Sequence, residues 1–206
     1  MLELRVDSSL IPGVNAPITV DALLSAIEPI LGESRRMVTT LRINGVEEPA
    51  FREPSVLARE LASTDVVDMA STPVAAIAIG ALDDALHYLP ALTAGARATA
   101  RELDAPGNTA LSAIRELADG LALLVALVHS ADVWSRQAGL AESDWLGEDV
   151  VAIERAAGDI EAAAAAGDWA AAATALTHGL APALESWQGR LAAGRERLDA
   201  LQLATA

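Results

Sequence analysis

Three histidines and a surplus of carboxylates are the residues in this chain whose types could do acid–base or metal chemistry. Asp83, Asp84 and His87 fall within one helical turn, a spacing that could orient an imidazole or hold a metal ion. The same residues also read as a solvated helix face with a local ion pair, and no second histidine is placed to complete a metal site. His129 and Asp132 are three apart, and a histidine near a helix C-terminus satisfies free carbonyls. His178 stands isolated between Thr177 and Gly179. The paired Glu-x-x-His of carboxylate-bridged di-iron helices is absent, as are Gly-x-x-x-x-Gly-Lys, Gly-x-Gly-x-x-Gly and Gly-x-Ser-x-Gly. Adjacent acids such as Glu47-Glu48 and Glu148-Asp149 are expected by chance in a chain with 29 acids, and they read as water-facing. No residue is assigned a catalytic role, and no metal or cofactor is expected.

The tryptophans carry a binding signal. Trp134, Trp145, Trp169 and Trp187 all fall in the second half, where they fill volume in a core of alanine and leucine. Trp145 differs in having Asp144, Glu148 and Asp149 around it. An exposed tryptophan ringed by acids is an anchor for a protein partner. The competing reading is a loop pinned to the helices by its one large apolar residue.

Composition narrows the partners. The 206 residues include 46 alanines, no lysine and no cysteine, and 14 arginines face 29 acids for a net charge of −15. Such a chain is repelled by phosphate backbones and anionic lipid, so neither nucleic acid nor membrane is expected. Without cysteine there is no disulfide framework, thiolate metal site or cysteine nucleophile. The start alternates apolar and polar residues, unlike a signal peptide, and the longest uncharged run, 169–184, is short of a bilayer span. A cytoplasmic location is the expectation. Arginine without lysine, with abundant alanine, is what a GC-rich bacterial genome produces.

The elements that position these residues change character near Thr72. Residues 2–6 alternate as a strand, Asp7-Ser8-Ser9 reads as a turn, and 10–14 as a short return that Pro12 confines to a sheet edge. Thr19 can cap a helix over 20–31. A strand over 37–43 alternates Thr39, Leu41 and Ile43 with Val38, Thr40 and Arg42. Asn44-Gly45 is a type I′ hairpin signal. A partner strand over 46–51, a short helix over 54–61 and a last strand over 65–71 follow. This order and length resemble the ubiquitin-like β-grasp fold. Carrier and modifier members of that fold depend on a free Gly-Gly terminus, which this sequence lacks. The resemblance therefore implies a binding or spacer module.

Residues 73–206 read as helical almost throughout. Thr72-Pro73 is a helix start without a linker, so the domains 1–72 and 73–206 are expected to be mechanically coupled. Helices are expected over 73–103, 109–135, 148–166 and 169–203, with a loop at 104–108 and another over 139–147. Residues 120–128 are apolar on every face, which predicts a central helix. Asp168 can cap the last helix. The pairs Gly107-Asn108 and Gly167-Asp168, each followed later by Gly-Leu-Ala, mark the two hairpins as candidates for a duplication. Residues 167–187 also resemble helical segments of uncharacterised bacterial proteins.

The fold class expected is α+β: a small ubiquitin-like β-grasp domain followed by an antiparallel bundle of four long α-helices. The leading functional expectation is a non-enzymatic adaptor, chaperone or assembly protein that binds a protein partner or a second copy of itself, with Trp145, Asp144, Glu148 and Asp149 as the contact. The alternative is a small-ligand site or enzyme between the two domains, with Asp83, Asp84, His87 and His129 as polar contacts.

Overall fold

The computed structural model describes residues 2–103, 110–140, 145 and 147–205. The expected loop at 104–108, the helix start at Thr109, and Asp144 lie outside the described residues. The fold is mixed α+β and divides into two compact units, Met1–Val74 and Ala75–Ala206.

The first unit opens with β1 (Glu3–Val6) and β2 (Ser9–Ile11). Asp7 and Ser8 turn between them with φ of 49° and 67°. β2 ends before Pro12 and pairs only with β1, so the return strand is shorter than the expected 10–14 and lies at a sheet edge. β3 (Ile18–Thr19) leads into α1 (Val20–Glu33), where the Ala22 N–H donates to the Thr19 hydroxyl at 3.2 Å. β4 (Arg36–Ile43) turns at Asn44-Gly45, with φ of 55° and 80°, into β5, which is only Val46–Glu47. The expected helix over 54–61 shortens to α2 (Pro54–Leu57), because β6 (Glu60–Leu61) leaves it to pair with β3. β7 (Val66–Pro73) completes a five-stranded sheet in the order β2-β1-β7-β4-β5, parallel only between β1 and β7.

One face of that sheet meets α1. Leu4, Val38, Leu41, Ile43, Val67 and Met69 enclose a core with Leu23, Leu24 and Ile27 of the helix. Strict alternation would place Thr39 beside Leu41 and Ile43. Instead the register with β7 shifts between Val38 and Thr40, and this bulge turns Val38 inward and Thr39 out. Thr72 does not cap a helix. It sits in β7 opposite Met37, its hydroxyl 2.8 Å from that of Thr39.

A polar knot ties the end of β1 to β7 and the start of β4. The Asp7 carboxylate accepts from the Ser71 N–H at 2.7 Å and the Ser71 hydroxyl at 2.6 Å, while Arg36 donates to the Ser71 hydroxyl and carbonyl. Burial pushes the Asp7 carboxyl up, but the Ser71 donors and the Arg36 charge outweigh it and hold its pKa below the usual value.

The second unit holds α3 (Val74–Glu102), α4 (Ala110–Gln137), α5 (Glu148–Ala166), α6 (Trp169–Thr174), a π-helical segment (Ala175–Leu180) and α7 (Ala181–Thr205). Gly167 ends α5 at φ 70°, and Asp168 then accepts from the Ala171 N–H at 3.0 Å to start α6. The expected single helix after Asp168 is interrupted by the π segment, which Pro182 follows closely; proline has no N–H to give the His178 carbonyl. α3 and α7 run antiparallel, joined by Asp83–Arg195 at 2.9 Å and Arg97–Glu185 at 2.6 Å. Leu82 and Leu89 of α3, Leu124 and Val128 of α4, Ile153 of α5 and Leu184 of α7 share one core.

α4 corrects an expectation. Leu117, Leu121, Leu124 and Val128 are buried, yet Ala122, Leu123 and Ala126 in the same apolar run face solvent. The helix is therefore one-sided, not central. Among the described residues one helix, α3, is long and apolar enough to cross a membrane.

Candidate functional site

α3 and α4 meet at Gly120. A Cβ there would lie 2.7 Å from the Tyr88 hydroxyl and 2.9 Å from a Leu92 methyl, so only glycine allows this approach without displacing them. Away from that contact, small residues leave space: Ala91, Gly95 and Ala98 on α3, and Ala113 on α4. The result is an open groove of about 630 Å³. Leu92 and Leu117 form an apolar floor, Tyr88 half-buried stands at one end, and Thr99 lies buried in the wall. Among the described residues, the charged side chains that line it are two exposed carboxylates, Glu102 and Glu116, and the Ser112 hydroxyl donates to Glu116 at 3.3 Å. Chemically the groove suits an apolar segment that carries a cation.

A shallower depression of about 410 Å³ lies on the exposed face of the sheet, between Arg5, Asp68 and Arg42. Its guanidiniums are already matched, Arg5 to Glu3 and Asp68 and Arg42 to Glu47, so it offers less unbalanced charge.

The residues expected from sequence are dispersed. Trp145 is not on the surface. It is 2% exposed, and its carbonyl accepts the Trp187 indole N–H at 2.6 Å. Burial removes the ring as an anchor, and the loop-pinning reading describes it. Asp149 is also buried and accepts from Arg190 at 2.5 Å, whereas Glu148 is exposed. Asp83 is occupied by Arg195, while Asp84 and His87 are exposed on α3. His129 is exposed too, and lies well before the end of α4 at Gln137, so it caps no C-terminus. Asp132 is buried and paired with Arg136 instead. Among the described residues no three His, Asp or Glu side chains gather as a metal site.

Sequence reasoning missed Tyr88, Glu102 and Glu116. The available signal was the single tyrosine of the chain, together with glycines inside two long helices. Comparison of the chain with family models, with curated proteins and with solved structures finds no match.

Proposed function

We propose that the protein is a non-enzymatic interaction module, an adaptor or chaperone, whose α3–α4 groove receives a basic amphipathic segment of a client protein. One observation carries the reading: an apolar-floored groove whose charged lining, among the described residues, is Glu102 and Glu116. An amphipathic helix lays its apolar face in such a groove, and its flanking arginine or lysine meets the rim. The excess of acids over the whole chain favours encounter with a cationic segment and repels acidic ones. Within this reading the first unit is a ubiquitin-like β-grasp and the second a bundle of four antiparallel helical rods. The order β2-β1-β7-β4-β5, with α1 across one face, supports the first assignment.

Selection of peptides from a random library by the full chain tests the proposal. Enriched sequences should combine apolar positions at helical spacing with arginine or lysine. Their binding should weaken in Glu102→Gln with Glu116→Gln, and be lost in Gly95→Trp, which fills the groove. Peptides that lack basic residues, or that bind Gly95→Trp unchanged, would exclude the groove as the site.

A further inference from the structure

The end of the groove away from Tyr88 carries two polar groups that the helices themselves leave unused. Thr99 is 6% exposed, yet its hydroxyl makes no hydrogen bond among the described residues. Other enclosed hydroxyls on these helices find a partner one turn back: Thr93 donates to the Leu89 carbonyl at 2.9 Å, and Ser135 to that of Ala131 at 2.6 Å. A buried hydroxyl left without a partner is costly unless something from outside supplies one. Thr99 is not sealed in. Among the described residues the fully enclosed side-chain nitrogen or oxygen that lacks a partner is Trp145 Nε1, so the Thr99 hydroxyl keeps an opening, and the residue lines the groove.

Glu102 follows three residues later on α3, a spacing that sets the two side chains next to each other on the helix surface. Its carboxylate is exposed and makes no ion pair among the described residues. The cations nearest to it in sequence are engaged elsewhere: Arg101 Nε donates to the Arg97 carbonyl at 3.2 Å, and Arg97 pairs with Glu185. A hydroxyl inside the wall and a carboxylate at the rim therefore stand one helical turn apart, both open to a donor.

The cation that fits this pair is a guanidinium. An ammonium is compact and strongly hydrated, and one turned inward gives up water that a single hydroxyl does not replace. A guanidinium is more weakly hydrated and carries five N–H donors in one plane. One edge of it can lie on the Glu102 carboxylate while another N–H reaches the Thr99 oxygen.

We propose that Thr99 and Glu102 form an arginine-selective subsite of the α3–α4 groove. The guanidinium of a client arginine donates to the Thr99 hydroxyl and the Glu102 carboxylate, and the client's apolar residues lie over Leu92 and Leu117. The proposal rests on the groove being a peptide site, and adds which cation it selects and where. Tyr88 and Thr99 are about 16 Å apart along α3, so the client's apolar face extends about three helical turns from its arginine.

The probe is a helical peptide of alanine, glutamine and leucine about four turns long, acetylated and amidated, with one arginine as its only charge. Two companion peptides carry lysine or norleucine in its place. By calorimetric titration of the full chain, the arginine peptide should bind about tenfold more tightly than the norleucine peptide, and several-fold more tightly than the lysine peptide. Thr99→Val keeps the shape of the side chain; it should bring arginine and lysine level and leave the norleucine peptide unweakened. Thr99→Ser, which retains the hydroxyl, should keep the preference. Glu102→Gln should weaken the arginine and lysine peptides and spare the norleucine peptide. An arginine preference that survives in Thr99→Val would overturn the subsite, as would a loss equal for all three peptides, the signature of structural damage. Either result leaves the groove standing as the site if Gly95→Trp abolishes binding. Peptides that bind Gly95→Trp unchanged, or a parent chain that binds none of the three, would overturn the groove and the subsite together.

Discussion

The indole N–H of Trp187 donates to the main-chain carbonyl of Trp145 at 2.6 Å, and both rings are almost wholly enclosed. α7 thereby holds Trp145, just ahead of α5. The nitrogen of Trp145 itself has no hydrogen-bond partner among the described residues, and lies where a side chain on Gly194 would fall. All four tryptophans belong to the second unit, so tryptophan emission reports that unit's unfolding.

Gly194→Ala and Gly189→Ala should act in opposite directions. A Cβ at Gly194 would lie 2.6 Å from Trp145 Cε2, whereas one at Gly189 meets nothing within 4 Å. Overpacking predicts a loss of roughly 1–3 kcal/mol at Gly194. Lower backbone entropy in the unfolded chain predicts a gain of about 0.5–1 kcal/mol at Gly189. Urea unfolding followed by tryptophan emission separates them, and equal shifts would show that the indole is not packed there.

Removing Arg190 should cost far more than removing Arg42. The Asp149 side chain is 8% exposed, so Arg190→Ala strands a buried carboxylate. A loss of roughly 2–3 kcal/mol is expected, below the value for a fully buried pair because part of Arg190 stays in water. The Arg42–Glu47 pair is about half exposed on both sides, and Arg42→Ala should cost about 0–1 kcal/mol.

Acid should loosen the first unit through Asp7. Its folded pKa is lowered, so its contribution is complete above the unfolded value of about 3.9 and is lost as pH falls through the folded one. Asp65 adds to this: Asn44 and the Ala62 N–H hold its carboxyl below the usual range against a smaller opposing effect of burial. Asp7→Asn keeps a residue that tolerates φ of 49° while removing the titration. Amide exchange in β1 and β7 should then change less between about pH 4 and pH 2 than in the parent chain. An identical pH profile would remove Asp7 from the account.

Gly120→Ala tests the groove from its narrow end. The clash falls on the flexible ends of Tyr88 and Leu92, and alanine's helix propensity offsets part of its cost. Stability should stay within about 1 kcal/mol of the parent. Selected basic peptides should nonetheless bind several-fold more weakly, because the displaced phenol enters the groove.

Much of the local structure is legible in particular residues. Thr19 and Asp168 cap the helices they precede, Asn44-Gly45 makes the hairpin turn, and α5 spans the expected 148–166. Each of these follows from backbone preferences and hydrogen bonds between residues close in sequence. The candidate groove was not legible. It exists because Gly120 and Tyr88, on different helices, meet at one level and the small residues beyond them do not.

What the sequence by itself determined is therefore where most helices and the main strands begin and turn, and that acids outnumber arginines 29 to 14. Only the tertiary structure decided that Trp145 is enclosed, that a bulge turns Val38 inward in place of Thr39, and that α4 keeps Leu111 and Leu123 in water. The reason is physical. Caps and turns are settled within a few residues, whereas burial and register depend on which distant element arrives at a given face.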